Sequence, residues 1–471
     1  MIGFEDDVWP LRPSGAMFLP TQNPTRRKLT SVIQEANIEA RAVRQITDDE
    51  ATRVAIGALI GTAMEWYDFF LFSAAAALIF NVQYFRNQDP VAAAMASFAA
   101  FGVGLVFRPL GGMFFGAMGD RIGRRRTLMI TIVGIGLVTG AIGALPTYAA
   151  IGIAAPVLLV LLRIVQGLFV GGEWSGAMTI VVENAPLARR ARYAALPQIG
   201  SPIGTILSSG GFFLMTLFFS KESFNSFGWR LPFLAAIPML PIALYIRSRL
   251  DESPVFAELM QKGETAKTPV RTVLVESWRQ IVVGTATALL GVGGFYLVTA
   301  FVVYYGVRIL GYTPGVMLLG GMLAAVGEIP VVIIGGRLGE RYGASRVIIY
   351  GGLVSAVLAV PSFLLIASGS DALVILGMVV SVAALSFPYA ASGTVMTGLF
   401  PARTRYTGVG FAQNAAGMIS GFIPLAATGM VAAAHNHWWP AAAILIFVSL
   451  CTAVAGVVAP GMSVELPGFK H

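Results

Sequence analysis

Charged residues are scarce in this sequence: Asp, Glu, Lys and Arg make up 12% of its 471 residues, against roughly 25% in a typical soluble protein. So few charges cannot cover the surface of a water-exposed globule of this size. Intrinsic disorder is excluded as well, because disordered chains are poor in apolar residues and 56% of this chain is apolar. The composition therefore predicts an integral membrane protein.

Residues that support metal, redox or nucleotide chemistry are equally few. The chain has one cysteine, Cys451, and three histidines, so no disulfide can form within it. His435 and His437 have no further ligand nearby in the sequence, which favours a solvated loop over a metal site. No Gly-Lys dipeptide occurs, so the phosphate-binding loop of an ATP-driven pump is missing. We expect no metal, no cofactor and no enzymatic activity.

Long apolar runs dominate the rest of the chain. A helix that crosses a bilayer needs about 20 apolar residues, and polar breaks divide the chain into runs of about that length. The runs fall at residues 53–81, 91–118, 127–146, 152–182, 192–219, 229–248, 280–308, 314–336, 346–368, 371–399, 404–432 and 438–460. The sequence thus predicts an all-α membrane protein with twelve transmembrane helices.

Basic residues are distributed unevenly over the connections between spans. Of the 32 lysines and arginines, Arg108 and Arg163 fall inside spans, and the few on the sparse side of the membrane are Arg86, Lys221, Arg230 and Arg308. By the positive-inside rule the crowded side is cytoplasmic, and both termini are expected there. The net charge of +8 is then a sign of topology, and nucleic-acid binding is disfavoured.

The sequence divides into two similar halves, with six spans on either side of the polar interval at 251–279. The stretch from Gly116 to Arg125, after the second span, recurs in weaker form from Gly336 to Gly343, after the eighth. Arg190-Ala-Arg192-Tyr193 likewise recurs as Arg403-Thr-Arg405-Tyr406. These repeats predict two pseudo-symmetric six-helix bundles around a site in the middle of the membrane.

The predicted segments are an N-terminal extension at 1–50, a first bundle at 51–250, a cytoplasmic central loop at 251–279, a second bundle at 280–460 and a cytoplasmic tail at 461–471. The extension lacks the apolar core of a secretory signal, so we expect no cleavage there. Within it, residues 29–46 carry apolar side chains at helical spacing, which predicts an amphipathic helix. That helix either rests on the bundle or bilayer or binds a regulatory partner.

Charges inside the spans are the main functional candidates, because each costs on the order of 3 kcal/mol at the centre of a membrane helix. Glu65 and Asp68 are three residues apart and share one helical face. A rise of about 1.5 Å per residue places them roughly 18 and 22 Å from the cytoplasmic side, and Arg163 roughly 16 Å from the outer side. We expect them to meet near the bilayer centre. Arg108 and Glu328 are further intramembrane candidates.

A buried group of two carboxylates and one arginine is suited to proton coupling. Two carboxylates in a low dielectric repel each other, so one of them holds a proton more tightly, while a nearby arginine opposes this. We therefore predict that Asp68 and Glu65 couple transport to protons, with Arg163 as their partner or as the clamp for a substrate carboxylate. The alternative is a permanent ion cluster that only holds spans one and four together. The proton gradient would supply the energy.

The charges after the second span predict a gate. Salt bridges at the inner helix ends can close the cytoplasmic face and break when the two halves rock. Topology anchoring is the alternative, and a structural pairing is equally open for Glu173. The gating candidates are Gly116, Asp120, Arg121, Gly123, Arg124, Arg125, Glu173, Glu340 and Arg341.

Neutral polar and aromatic residues within the spans are candidates for lining a substrate cavity. Interhelical hydrogen bonding or packing explains each of them equally well. Beside Arg163, the substrate-binding candidates are Gln166, Gln198, Tyr296, Tyr304 and Asn414.

Several of these motifs resemble the major facilitator superfamily and, within it, the bacterial metabolite:proton symporter family. The stretch from Gly116 to Arg125 is similar to the superfamily signature. The motifs similar to the narrower family are Glu65-Trp-Tyr-Asp68-Phe-Phe, Arg108-Pro-Leu-Gly-Gly, Arg163-Ile-Val-Gln166-Gly with Gly171-Gly-Glu173-Trp, Asp251-Glu-Ser-Pro-Val-Phe, Phe400-Pro and Arg405-Tyr-Thr-Gly. The resemblance spans residues 53–460. Departures are Ser73, where the family often has glycine, and the long N-terminal extension.

The resemblance implies the two-bundle major facilitator fold, alternating access and proton-driven uptake, with Glu65, Asp68, Arg163, Gln166 and Glu173 at the family's functional positions. Members of that family carry shikimate, 2-oxoglutarate, citrate, other carboxylates, or the zwitterions proline and betaine. We expect a monomer in a bacterial inner membrane whose partners are protons, the lipid bilayer and a small organic acid or zwitterion. Proton-coupled efflux of a drug or metabolite is the alternative, and a non-transporting membrane sensor is a further one.

Overall fold

The computed structural model describes residues 47–85, 90–248, 252–263 and 269–464, and within these ranges it is all-α. The amphipathic helix predicted at 29–46 lies outside the described residues. Ten helical segments in the described part are long and apolar enough to cross a membrane. With the helices Pro90–Ile122 and Gly200–Phe218, they make twelve passes.

The passes of the first half are built on six helices. These are α1 (Asp48–Ala75), α2 (Pro90–Ile122), α3 (Arg124–Ala144), α4 (Ala154–Glu183), α5 (Gly200–Phe218) and α6 (Ala236–Ser248). Short helical segments extend them: Ala76–Phe80 and Asn81–Gln83 after α1, Tyr148–Ile151 before α4, Leu187–Arg189, Arg190–Ala195 and Leu196–Ile199 before α5, and Lys221–Ser223, Phe224–Gly228 and Arg230–Leu234 before α6.

The second half repeats this plan. Its helices are α7 (Trp278–Leu289), α8 (Pro314–Tyr342), α9 (Ala344–Ile366), α10 (Asp371–Gly398), α11 (Arg405–Gly421) and α12 (Trp439–Met462). The seventh pass continues from α7 through the π-helical turns Leu290–Gly294 and Leu297–Phe301 into Val302–Arg308, while Ala402–Thr404 precedes α11 and Ile423–Ala433 follows it.

The central interval is more ordered than the loop that the sequence predicts for 251–279. It contains two short helices, Pro254–Lys262 and Pro269–Glu276. Ser253 caps the first of them by accepting a hydrogen bond from the Phe256 backbone N–H, and a proline follows the cap as the first helical residue. Caps of this kind start a helix at a defined residue in a polar segment, and the apolar side chains of Pro254–Lys262 then follow at helical spacing over a stretch too short for a span.

Lipid dictates the helical architecture, because every backbone polar group in the hydrocarbon must find a partner inside its own segment. Large apolar side chains such as Phe114, Val357 and Phe447 stay exposed on the outside of the bundle. The first helix has a polar start signal: Thr47 and Glu50 form a reciprocal capping box at the N-terminus of α1. The chain therefore enters its first pass at a defined residue.

The glycine- and arginine-rich repeat is helical rather than the loop that the sequence analysis assumed. Helix α2 continues through Gly116 to Ile122, and α8 continues to Tyr342. The chain reverses at one residue in each half: Gly123 with φ of 112° and Gly343 with φ of 95°. Such dihedrals strain any residue with a Cβ, so both halves need glycine there. We call the end of the molecule that contains these two turns the basic end.

The two halves meet along two pairs of helices. Helix α2 packs against α11, and α5 with the preceding segment Arg190–Ala195 packs against α8. Glycines allow close approach at the basic end. A Cβ on Gly116 would lie 2.6 Å from the Thr407 Cα, and a Cβ on Gly336 would lie 2.5 Å from the Ala195 Cβ. The basic end is therefore closed by helices in direct backbone contact.

Candidate functional site

Two ion pairs lie buried midway along the helices of the first half. Glu65 of α1 pairs with Arg108 of α2, with Oε1 and Nη2 2.5 Å apart, and Asp68 pairs with Arg163 of α4 at 3.8 Å between Oδ2 and Nη1. All four side chains are largely shielded from solvent. We call these four residues the midspan cluster. The expected meeting of Asp68 and Arg163 is present, whereas Glu65 is paired with Arg108.

Asp68 is also held by neutral hydrogen-bond donors. Thr139 of α3 donates to its Oδ1 at 2.5 Å, and the Gln166 amide of α4 donates to the same oxygen. The Gln166 carbonyl in turn accepts from Arg163 Nη1 at 2.6 Å. Gln166 thus links the carboxylate to its arginine, and the long direct contact between Asp68 and Arg163 is supported by a shared partner.

Glycine makes room for this arrangement. A Cβ on Gly104 of α2 would lie 2.6 Å from Arg163 Nε, and one on Gly167 of α4 would lie 2.2 Å from the Gly104 carbonyl oxygen. Helices α2 and α4 therefore approach closely enough for arginines from both to share one site. The Arg163 guanidinium also lies over the Phe72 ring, 4.3 Å from its centroid, which adds cation–π stabilisation in a site away from water.

An aromatic layer separates the midspan cluster from the opposite end of the molecule. Phe69 of α1 stacks on Tyr296 of the seventh pass, with ring centroids 5.0 Å apart, and Trp66 contacts Phe295 edge-on at 5.7 Å. These contacts cross from one half to the other. Beyond the layer lies a cavity of about 120 Å³ whose walls include Phe69, Tyr296 and Ser73. Phe69 also lines a much smaller cavity beside Arg108 and the pair Asp68–Arg163.

The other substrate-binding candidates take different positions. Gln198 is buried between the halves, where its carbonyl accepts from the Trp174 indole at 3.0 Å and its amide donates to the Tyr389 carbonyl. Asn414 of α11 donates to the Gly171 carbonyl at 2.6 Å. Tyr304 is 45% exposed and does not border the 120 Å³ cavity.

Several gating candidates meet at the basic end. Arg124, fully buried, forms salt bridges of 3.3 Å with both Asp120 and Glu183, and Glu183 also binds Arg405 of α11 at 3.0 Å. Asp120 accepts hydrogen bonds from the backbone N–H and hydroxyl of Thr407, at 3.0 and 2.6 Å. We call Asp120, Arg124, Glu183 and Arg405 the basic-end cluster. It ties α2, α3 and α4 of the first half to α11 of the second.

The central interval closes over this cluster. The Glu252 carboxylate accepts from the backbone N–H groups of Arg124 and Arg125, the first residues of α3. Ser253 donates to Glu183 at 2.5 Å, and the Phe256 ring lies 4.6 Å from the Arg124 guanidinium. A carboxylate at a helix N-terminus complements both the free N–H groups and the helix dipole, so this interval helps to fix the cluster.

The remaining candidates have weaker contacts. Glu173 is buried and accepts from Thr131 at 2.7 Å within the first half. Glu340 of α8 contacts Arg189 at 3.9 Å, and both side chains are partly exposed. Arg121 and Arg341 are exposed at the basic end, the latter next to the Tyr342 ring. The first repeat therefore makes a buried charge cluster, whereas the second makes a surface contact.

Sequence comparison identifies the chain at the level of the family. The family model for the Major Facilitator Superfamily matches residues 58–423, a range that includes the midspan cluster and the basic-end cluster. The chain belongs to the major facilitator superfamily. It has that superfamily's twelve-helix fold in two bundles, and it is a multi-pass membrane transporter of small molecules rather than an enzyme.

Named relatives of this facilitator are metabolite transporters. The inner membrane metabolite transport protein YhjE of Escherichia coli K12 is 36% identical over 372 residues, which cover 78% of this chain and 84% of that protein. The shikimate transporter of the same strain is 34% identical over 412 residues, covering 87% and 94%. The proline/betaine transporter of Salmonella typhimurium LT2 is 32% identical over 413 residues, covering 85% and 82%.

Solved structures of other facilitators share the fold at low sequence identity. The proton:xylose symporter XylE superposes with a TM-score of 0.69 at 17% identity, covering 87% of this chain and 95% of that one. The human organic anion transporter MFSD10 gives a TM-score of 0.58 at 16% identity, covering 87% and 99%. At these identities the likeness concerns the fold alone.

Three residues of the two clusters, and Thr139 beside the midspan cluster, had no site role assigned from the sequence. Arg108 was noted as an intramembrane charge without a partner, and its position opposite Glu65 emerges only from the packing of α1 on α2. Nothing in the sequence marks Thr139 as a site residue, because hydroxyl side chains are common inside apolar spans. Glu183 and Arg405 are 222 residues apart, so the sequence around either residue does not indicate that the two are in contact. The described residues contain no group of three or more His, Cys, Asp or Glu side chains placed to hold a metal ion.

Proposed function

We propose that this facilitator takes up a small organic acid or zwitterion together with protons, by alternating access, across a bacterial inner membrane. The observation that carries the proposal is the pairing of Asp68 with Arg163 through Gln166 in the buried midspan cluster. Among the named relatives are transporters of shikimate and of proline and betaine, which fits substrates of this class. Both termini would lie in the cytoplasm, so that the basic end faces inward.

Proton and substrate can act on the same arginine. When Asp68 is ionised it neutralises Arg163, and a proton on Asp68 removes that compensation. Arg163 is then available to a substrate carboxylate, because a buried guanidinium needs a counter-charge. The tight pair of Glu65 and Arg108 next to it would keep the remaining charge balanced while this exchange takes place. Loading of proton and substrate is thereby coupled.

The two ends of the molecule suit alternating access. The basic end is closed by the basic-end cluster and by glycine contacts, while the 120 Å³ cavity lies beyond the aromatic layer toward the opposite end. In the proposed cycle the substrate enters through that cavity, the bundles rock, and the basic-end cluster breaks to release it.

The decisive experiment is substrate uptake by the purified protein in proteoliposomes with an inward proton gradient, with the interior pH recorded at the same time, because an acid anion carried with one proton moves no net charge. The panel is shikimate, 2-oxoglutarate, citrate, aromatic acids, proline and betaine. Asp68→Asn removes the titratable carboxyl at the same volume. Glu276→Gln removes an exposed carboxyl from the helix Pro269–Glu276 and serves as the matched control.

We expect uptake of at least one substrate that depends on the proton gradient, lost in Asp68→Asn and kept in Glu276→Gln. Interior acidification with uptake supports symport, whereas interior alkalinisation would establish proton-coupled efflux instead. Silence across the panel from folded, inserted protein contradicts the proposal. Deletion of residues 1–50 tests separately for a sensor, in which signalling would be lost while transport is unchanged.

A further inference from the structure

One buried carboxyl group takes no part in the proposed exchange of proton and substrate at Asp68 and Arg163. Glu328 lies halfway along α8, in the second half, and is 1% exposed. Its carboxyl lies near the Ser201 hydroxyl of α5, across the boundary between the halves. Its Oε2 has no hydrogen-bond partner, and within the described residues no Lys, Arg or His forms an ion pair with it. This differs from Glu65 and Asp68, each of which faces an arginine.

The groups around Glu328 do not compensate a negative charge. Helix α5 contributes the neutral Ser201, and α10 contributes Tyr389, which lies within electrostatic range of both Glu328 and Glu65. Arg190, Arg192 and Arg346 belong to elements packed against α8, but they lie near its basic-end turn and not beside Glu328. An isolated carboxylate in such surroundings is strongly disfavoured, so the neutral acid is the form that this packing accommodates.

An apolar seal separates Glu328 from the basic end. It consists of Ala195 and Ile199 from the segments before α5, Val332 of α8 and Ala390 of α10, all buried. Beyond the seal, Gly336 and Gly339 of α8 are in contact with the segment Arg190–Ala195. Water therefore reaches Glu328 from this side only when α5 and α8 separate, which is also the motion that carries Ser201 away from its carboxyl.

We propose that Glu328 is a second proton-binding site, which holds a proton while the basic end is closed and releases it when α5 and α8 part there. The inference rests on the proposed symport. On release, the O–H bond of the acid breaks, the proton passes to water, and a hydrated carboxylate remains. When the basic end has closed again and the opposite end opens, the carboxylate regains a proton, which arrives from the Glu65 side past Tyr389.

The test compares Glu328→Gln with wild type and with Glu276→Gln in proteoliposomes. The pH gradient that just balances a fixed substrate gradient gives the number of protons moved per substrate. We expect that number to fall by one in Glu328→Gln and to stay unchanged in Glu276→Gln. An unchanged balance point in Glu328→Gln would overturn the second site while leaving the proposed symport intact, and absence of proton-coupled flux in the wild type would overturn the symport itself.

Infrared difference spectroscopy probes the same group without transport. The carbonyl stretch of a protonated carboxylic acid should be present in the wild type, lost in Glu328→Gln and retained in Glu276→Gln. If Glu328→Gln does not insert, Ser201→Ala keeps the carboxyl group and removes the hydroxyl beside it, so the band should shift. A band that is unaffected by the available variant contradicts the assignment of this proton to Glu328.

Discussion

At the scale of single residues, charges in this transporter are buried in combinations that sum nearly to zero. The midspan cluster has two carboxylates and two arginines, and so does the basic-end cluster. Removing one member of such a set leaves an uncompensated buried charge, which costs about 3–5 kcal/mol. Single neutral substitutions should therefore shift conformational equilibria strongly, even though each changes only a few atoms.

Glu183→Gln tests this for the basic-end cluster. The substitution leaves Arg124 and Arg405 with Asp120 as the remaining carboxylate of the cluster, so the closed basic end should lose about 3–5 kcal/mol relative to the open one. We measure the rate at which a thiol introduced by Ser175→Cys is alkylated in a Cys451→Ser background. Ser175 is buried where α4 meets α11, so its reaction reports opening.

The alkylation rate of this thiol should rise at least tenfold when Glu183→Gln is added to the Ser175→Cys, Cys451→Ser protein. It should stay unchanged when Glu276→Gln is added instead. An equal rate in all three proteins would show that the cluster does not hold the basic end closed.

Residues differ in how far the sequence alone reveals them. The depth of Glu65, Asp68 and Arg163 follows from span boundaries and helical rise, and the meeting of Asp68 with Arg163 follows from their equal depth. Which carboxylate takes which arginine does not follow, because rotation of each helix about its axis is set by packing. Glu183 illustrates the same limit: at the end of α4 it has the appearance of an ordinary helix-terminal carboxylate.

At the scale of elements, glycine determines which helices can touch. The repeat that recurs in both halves places glycines on the faces of α2 and α8 that meet the other half. From the sequence this repeat is expected to be a charged connection after the second and eighth spans, but its glycines lie within helices. The single-residue turns at Gly123 and Gly343 explain why no loop is needed.

Gly116→Ala should prevent the basic end from closing fully. The added Cβ would lie 2.6 Å from the backbone of Thr407, which cannot yield as a side chain can, and overpacking of this kind costs about 1–3 kcal/mol. Initial uptake rates should fall several-fold. Gly102→Ala on the same helix is the control, since no atom lies within 4 Å of its added Cβ. Equal rates in the two variants would contradict a role for this contact.

At the scale of the whole molecule, the fold was accessible from the sequence because lipid imposes it. Each predicted pass coincides with an observed one, as at 371–399 against Asp371–Gly398, and the internal repeats indicated two bundles. The association of α2 with α11 and of α5 with α8 could not be derived from the sequence. It depends on small differences in packing between many apolar faces that look alike.

Closing the basic end permanently should stop transport. A Cβ on Gly339 would lie 3.0 Å from the Ala191 Cβ, shorter than the roughly 3.5–4.5 Å that a disulfide spans, so a small outward shift of the two segments allows the cross-link. Gly339→Cys with Ala191→Cys, in the Cys451→Ser background, should lose uptake under oxidising conditions and regain it after reduction. Each single variant controls for the substitution alone. Undiminished uptake by the cross-linked protein would rule out separation of α5 and α8 as a step in the cycle.

The basic end is fastened unequally on its two sides. Between α2 and α11 lie buried salt bridges and the hydrogen bonds of Asp120, whereas the α8 side has the exposed contact of Glu340 with Arg189 and the packing of glycine on alanine. We therefore expect the α5–α8 seam to part first and the α2–α11 seam, with its salt bridges, to part later in the cycle. The first water to enter the basic end would then arrive on the side of Glu328.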